Sequence, residues 1–130
     1  VQIESRVLGD LCMNHIIPVA TKYQSVLVDN VSKIFSAFPA EKAKQLSAYN
    51  VTLIEKINAN TDFIVNAVDE MVNKRKFVNK LSSVRDIAVA YHDEVEPYLH
   101  AIRRHIDKLE LIVEDGMWTL PKYRELLFIR

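Results

Sequence analysis

The sequence predicts an all-α fold, an elongated antiparallel bundle of three long helices followed by a short apolar docking segment. Two observations favour this fold. The 130 residues include only two Gly and four Pro, whereas an all-β protein of this size needs many tight turns, which these residues usually build. Apolar residues make up 49% of the chain and recur at spacings of three and four, which is typical of helices and not of strands.

The first helix is predicted over residues 1–37. Pro18 lies inside it and predicts a kink, because proline removes a backbone donor and clashes with the preceding turn. Pro39 predicts the end of the helix, since it disfavours helical geometry at the residue before it. The apolar line of this helix consists of Ile16, Ala20, Tyr23, Leu27, Val31, Ile34 and Phe38.

The second helix is predicted over residues 40–78. Pro39 and Glu41 suit its N-terminal end, and the run from Lys74 to Lys76 suits its negative C-terminal end. A solvated helix end is the better interpretation of this run than a phosphate site, because no aromatic or Gly-rich partner is near. The line along this helix consists of Leu46, Asn50, Leu53, Ile57, Thr61, Ile64, Val68, Met71, Arg75 and Val78.

The third helix is predicted over residues 83–114, with a bend at Pro97. Ser83 and Asp86 resemble a capping box in which Asp replaces the usual Glu. The join at residues 79–82 contains no Gly or Pro, so one continuous helix from Ala40 onward is an alternative. The line, spaced like a coiled-coil seam, consists of Leu81, Val84, Ala88, Tyr91, Val95, Tyr98, Ile102, His105, Leu109 and Ile112.

These three segments have similar lengths and short connections, which favour antiparallel neighbours in a single domain over residues 1–130. The chain starts in an amphipathic helical pattern, with Ile3, Val7 and Leu8 on one side. That start is typical of a piece cut from a longer protein. We therefore expect a piece of a longer protein.

Residues 115–130 differ from the helices. Gly116 is typical of the position just past a helix C-terminus, and the residues after it are too apolar for a free tail. This segment is expected to dock either on its own bundle or on another chain. The predicted interface anchors are Trp118, Leu120, Tyr123, Leu126 and Phe128.

Charge and cysteine content exclude several classes of protein. Seventeen Lys and Arg balance seventeen Asp and Glu, which argues against a nucleic-acid partner and gives no support to a membrane patch. No apolar run approaches the ~20 residues that a membrane span needs. The single Cys12 cannot form an intrachain disulfide, so a reducing, cytoplasmic setting is expected.

No catalytic, cofactor-binding or metal-binding residue is predicted in this chain. Cys12 and His15 could touch as nucleophile and base, but a small buried side chain is the favoured interpretation of Cys12. A metal-dependent bundle enzyme using His92, Glu96 and His100 is a hypothesis with poor ligand spacing. Neither pattern defines an active site.

Several stretches carry a family resemblance. They are Leu11-Cys-Met-Asn-His-Ile-Ile-Pro-Val-Ala-Thr-Lys-Tyr-Gln24, Leu46-Ser-Ala-Tyr-Asn50, Ile106-Asp-Lys-Leu-Glu-Leu-Ile-Val113 and Met117-Trp-Thr-Leu-Pro-Lys-Tyr-Arg-Glu-Leu-Leu-Phe128. Together they resemble the C-terminal region of type III glutamine synthetases, the large bacterial form. The resemblance spans almost the whole chain, and residues 59–83 are generic.

The resemblance implies a parent enzyme that joins ammonia to glutamate with ATP and Mg²⁺, through an acyl phosphate. The family's metal, ATP and glutamate sites lie upstream, so no catalytic residue is carried over to this chain. The chain would then be a non-catalytic helical domain with a structural or assembly role. Its implied partners are the catalytic region of the same polypeptide and the neighbouring subunits of a homo-oligomeric ring in the cytoplasm.

A free-standing coiled-coil interaction module is the alternative function. The seam along the third helix would explain such a module equally well. It predicts self-association of the isolated chain.

Overall fold

A computed structural model describes residues 2–113 of the chain, and every regular element in that range is a helix. The first helical segment consists of α1 (Gln2–Leu11), a π-helical turn (Cys12–Ile16) and α2 (Ile17–Ala37). The second is α3 (Ala40–Val78). The third consists of α4 (Val84–Ala90), a second π-helical turn (Tyr91–Val95) and α5 (Glu96–Ile112). The prediction of an all-α fold with three long helices is confirmed for these residues.

Each π-helical turn ends two residues before a proline. Pro18 and Pro97 are the second residues of α2 and α5. The amide of Ile17 donates to the carbonyl of Cys12, and the amide of Glu96 donates to that of Tyr91, five residues back in both cases. A proline ring clashes with the carbonyl four residues earlier, and the wider π turn keeps a backbone hydrogen bond at the residue before each ring.

The long α3 begins directly after Pro39, whose carbonyl accepts from the amide of Ala43 at 2.9 Å. It ends at Val78, and residues 79–83 separate it from α4. The alternative of one continuous helix from Ala40 onward is therefore wrong. The amide of Asp86 donates to Ser83 Oγ at 3.4 Å, which caps the N-terminus of α4.

Contacts between residues of different segments hold the three segments together. Near the start of the chain, Gly9 lies against Val68. Farther along the first segment, Gln24 Nε2 donates to the carbonyl of Ile54 at 3.3 Å. On the other side of α3, Lys74 Nζ lies 3.3 Å from Glu94 Oε2. The helices thus pack along much of their lengths, with α3 contacting both of its neighbours.

Most of the predicted apolar lines form the core. The fully buried members from these lines are Ala20, Ile57, Ile64, Met71, Val78, Val95, Ile102 and Leu109. The prediction fails for Leu46 and Phe38, which are both about half exposed, and for Val84, which is 84% exposed. These three residues lie near helix ends.

The grouping of Ile3, Val7 and Leu8 on one side of the first helix is also wrong. Ile3 and Val7 are exposed, whereas Ser5 and Leu8 are buried. Ser5, Leu8 and Cys12 follow each other at spacings of three and four, so they share the face that turns towards α3. None of the helices within residues 2–113 is long and apolar enough to cross a membrane.

Candidate docking surface

The five predicted interface anchors lie outside the described residues. They are Trp118, Leu120, Tyr123, Leu126 and Phe128. The end of α5 is described, and it shows what surface is available where that segment begins. The candidate site is therefore built from α3 and α5.

A cavity of about 530 Å³ lies between the C-terminal half of α5 and the middle of α3. On α3 it is bordered by Lys56 and Asn60, and on α5 by Lys108 and Ile112. Asn60 is buried, and its Nδ2 donates to the carbonyl of Lys56 at 2.8 Å, so its side-chain donor is satisfied within α3. The cavity marks the point beyond which α5 no longer covers α3.

One turn towards the N-terminus of α5, an aromatic pair closes the contact between the two helices. The rings of Phe63 and His105 stack with centroids 3.7 Å apart and planes 10° from parallel. His105 Nδ1 lies 2.9 Å from the carbonyl of Ala101. A carbonyl only accepts, so Nδ1 carries the proton and fixes the ring in this orientation. His105 therefore acts as a packing residue on its predicted seam.

A second cavity, of about 350 Å³, lies on the other side of this pair. Glu70 and Tyr98 border it, and the hydrogen bond from the Tyr98 hydroxyl to Glu70 is the largest cause that raises the pKa of Tyr98. Beyond it, Lys74 and Glu94 form an exposed ion pair. Polar contacts thus line the outer edge of the α3–α5 interface where it is complete.

The groove between α1 and α3 is about 470 Å³ in volume. Gly9 lies where the two helices are in contact, and Val68 Cγ1 is 3.6 Å from the position of an added Cβ atom, which is an ordinary contact distance. Arg75 Nη1 donates to Ser5 Oγ at 3.4 Å. The groove is bordered by the exposed side chains of Val7 and Met13. The arrangement is that of a packing interface, with the hydrogen bond from Arg75 to Ser5 across it.

Cys12 is fully buried, as the sequence predicts for a small core side chain. Burial raises the pKa of its thiol to about 12. Its thiolate is therefore scarce at neutral pH, and His15, which could act as a base, is exposed on the same π-helical turn. The interpretation of Cys12 as a buried structural residue is confirmed.

Of the three residues in the hypothesis of a metal-dependent enzyme, the structure brings His92 and Glu96 together as an exposed pair. His92 Nδ1 lies 2.8 Å from Glu96 Oε2, and His100 is exposed on α5. Within the described part of the chain, no group of three His, Cys, Asp or Glu side chains is arranged to hold a metal ion. The pair is an ordinary contact between residues four apart on one helix.

The sequence pattern did not identify the exposed apolar side chains. On α2 and α3 they include Val28, Phe35, Leu46 and Tyr49, and Tyr49 is 72% exposed. Leu46 lies on a predicted apolar line, so periodicity could not separate it from the buried residues, whereas Val28, Phe35 and Tyr49 lie off the predicted lines. The signal that could have found the exposure of Leu46 is the difference in helix length, since α5 is much shorter than α3.

Comparison with known proteins identifies relatives but no family model that matches the chain. A glutamine synthetase of Bacteroides fragilis (strain YCH46) is 45% identical over all 130 residues. A type-3 glutamine synthetase of Dictyostelium discoideum is 25% identical, also over all 130 residues. The chain spans 18% of the length of each of these two relatives. The resemblance to glutamine synthetases that the sequence showed is therefore confirmed.

Proposed function

We propose that this chain is the non-catalytic, helical C-terminal domain of a type III glutamine synthetase and that its role is structural. The observation that supports this most is the similarity along the entire chain to a glutamine synthetase and to a type-3 glutamine synthetase, of which it spans only 18%. The parent would make glutamine from glutamate and ammonia with ATP and Mg²⁺ in the cytoplasm. We assign the binding of ATP, metal and glutamate to the remainder of the parent.

Within this proposal, the helices form an elongated antiparallel bundle that bends near Pro18 and Pro97. Pairs of contacting residues support the antiparallel order. Between the first segment and α3, the contact of Gly9 with Val68 is followed by that of Gln24 with Ile54. The residue number rises on one helix and falls on the other. Between α3 and the third segment, the Lys74–Glu94 pair is followed by the Phe63–His105 pair.

The structural role is supported by apolar side chains that the bundle leaves exposed. Val28 and Phe35, seven residues apart on one face of α2, are 47% and 42% exposed. Exposed apolar surface of this kind is typical of contacts with other protein surfaces. We propose that it packs against the catalytic region or a neighbouring subunit of a homo-oligomeric ring.

The test uses the full-length parent with Val28→Ser and Phe35→Ser combined. We expect a several-fold loss of full-size particles at fixed concentration, measured by mass photometry, because the interface loses two apolar anchors. Asp29→Ser, an exposed polar change between them, serves as the control and should leave the particle mass distribution unchanged. Equal assembly of both variants would contradict a structural role for this surface. A parent that forms no glutamine from ATP, glutamate and ammonia would refute the ligase assignment itself.

The interface role of Trp118, Leu120, Tyr123, Leu126 and Phe128 stays a prediction. Truncation of a Trp anchor in an interface costs ~2 kcal/mol or more. We expect Trp118→Ala to weaken assembly of the parent by that amount, as measured from the concentration dependence of particle mass. Unchanged assembly would remove Trp118 as an anchor.

The alternative, a free-standing coiled-coil module, rests on the seam spacing along the third segment, although its members Ile102 and Leu109 are already buried within this chain. The two hypotheses differ in what precedes Val1 in the gene. An open frame encoding an ATP-dependent ligase supports the parent enzyme. A start codon just upstream, with self-association of the isolated chain, would support the module.

A further inference from the structure

Within residues 2–113, the bundle has three helical segments at one end and two at the other. The cavity near the end of α5 places Ile112 beside Lys56 and Asn60 of α3. From there α3 runs back to its start at Ala40 with α2 beside it, as the Gln24–Ile54 hydrogen bond shows. This two-helix part of the molecule, residues 24–56, is called the hairpin end below.

Two rows of side chains continue from the α3–α5 interface onto the hairpin end. Residues seven apart on a helix lie on nearly the same face. Phe63, which stacks on His105, is followed at this spacing by Lys56 and then Tyr49. Asn60, which borders the cavity, is followed by Leu53 and then Leu46. Each row faces α5 where α5 is present and continues after α5 has ended.

Apart from Lys56, the continued rows are apolar and incompletely covered. Leu53 is half-buried, whereas Leu46 is 45% and Tyr49 72% exposed. We propose that residues 114–130 of this same chain pack along these rows and complete the hairpin end as its third layer. Leu46, Tyr49 and Leu53 form the seat, and Trp118 with the apolar residues after it is the occupant.

Length and position support this occupant. From Lys56 to Ala40, α3 measures about 24 Å at ~1.5 Å per residue, and a segment of this size would span about 26 Å as a helix and more if extended. The chain leaves α5 at Val113, whose ψ of 138° is extended, so it departs from the helical path beside the cavity. Residues 114–130 therefore begin next to the entrance of the seat.

Charge supports the same occupant. Lys56 and Lys108 border the cavity at the entrance of the seat. Glu114 and Asp115 are the first two residues after Val113. Two acidic residues therefore come directly after the end of α5, near two basic residues at the cavity. Attraction between these opposite charges favours a chain path along α3 over a path that leads away from it.

Trp118 is the only tryptophan of the chain, so its fluorescence reports on the segment alone. The experiment measures its emission and its quenching by acrylamide in the 130-residue chain and in the Leu46→Glu, Tyr49→Glu double variant. We expect a blue-shifted emission in the unaltered chain, with a red shift and several-fold stronger quenching in the variant. Val51→Glu, an apolar-to-charged change on a different face of α3, is the matched control and should leave both quantities unchanged.

Three results would overturn the inference. Trp118 could be fully quenched in the unaltered chain, its burial could be the same in the double variant, or its burial could depend on protein concentration. The last result would indicate docking on a second copy. Far-UV circular dichroism of each variant establishes that its helices are intact.

A second measurement does not depend on disruptive substitutions. Replacement of Tyr49 by the photoreactive aromatic residue benzoylphenylalanine keeps an aromatic ring at the seat. After irradiation, mass spectrometry should identify a link within one chain between position 49 and residues 117–128. A link only between two chains, or none to this segment, would refute the proposal. Because both tests use the isolated chain, their outcome is independent of whether the parent proves to be a glutamine synthetase.

Discussion

The two halves of α3 have the same helical periodicity but different surroundings. In the half from Ile57 to Val78, the four residues at seven-residue spacing, Ile57, Ile64, Met71 and Val78, are all fully buried. In the half from Ala40 to Lys56, the only buried residues are the small Ala43 and Ser47, and Ser47 Oγ donates to the carbonyl of Ala43. The difference teaches that burial on this helix depends on how many helices flank it.

The comparison is tested most strongly by a pair of matched truncations. Ile64→Ala removes a fully buried side chain between α3 and its two neighbours, and such a change costs about 2–5 kcal/mol of unfolding free energy. We expect Leu46→Ala at the hairpin end to cost less than Ile64→Ala, because its side chain is half exposed on the paired α2 and α3, and only the proposed packing of residues 114–130 would cover it further. Urea unfolding followed by circular dichroism measures both. Equal costs would mean that the hairpin end is as well packed as the three-helix end.

This contrast also shows how far sequence could predict the fold. The apolar line through Ile57, Ile64 and Met71 was found from spacing, because burial there follows helical periodicity. The exposed position of Leu46 could not be found in that way, since spacing gives the face of a residue but not the neighbour opposite that face. Helix length supplied the missing information only once α5 was seen to end at Ile112.

The side-chain contacts at the candidate sites were harder to predict from the sequence than the fold. The Cys12 side chain could be assigned to the core because nothing in the sequence oriented a base towards it, and its burial confirms this. The stacking of Phe63 on His105 had no sequence signal, because it joins residues forty-two positions apart on two helices. Side-chain pairs across an interface depend on the register of the helices, which periodicity leaves open.

A second prediction tests whether water is excluded from the core at the three-helix end, with the Cys12 thiol as the probe. Burial raises the pKa of this thiol from 9.0 to about 12. Between these two values the folded state holds a proton that the unfolded state has released, so stability falls as pH rises. The loss is about 1.4 kcal/mol per pH unit above pH 9, and the stability is fully present below that pH.

Unfolding free energy measured by urea titration at a series of alkaline pH values should therefore fall less steeply for Cys12→Ala than for the unaltered chain. Tyr98 also has a raised pKa and contributes to the slope in both proteins, so only the difference between them is assigned to Cys12. Parallel slopes would show that the thiol is accessible to water.

A third prediction concerns the close contact of α1 with α3. Gly9 lies within a helix, and an added Cβ atom would meet Val68 Cγ1 at 3.6 Å and Met71 Cε at 3.9 Å, which are ordinary contact distances. Gly in a helix is about 0.5–1 kcal/mol less favourable than Ala. Gly9→Ala should therefore raise the unfolding free energy by this amount, with a higher melting temperature by calorimetry. A lower melting temperature would mean that the two helices have no room to adjust.

The smallest effect is expected at the edge of the α3–α5 interface, where Lys74 and Glu94 form an ion pair at 3.3 Å with both side chains nearly half exposed. Exposed pairs of this kind contribute about 0.2–1 kcal/mol. A double-mutant cycle of Lys74→Ala and Glu94→Ala should give a coupling free energy in this range, and 1 M salt should reduce it because screening weakens exposed charges. If the coupling approached the cost of Ile64→Ala, charge pairing and not apolar burial would distinguish the three-helix end from the hairpin end.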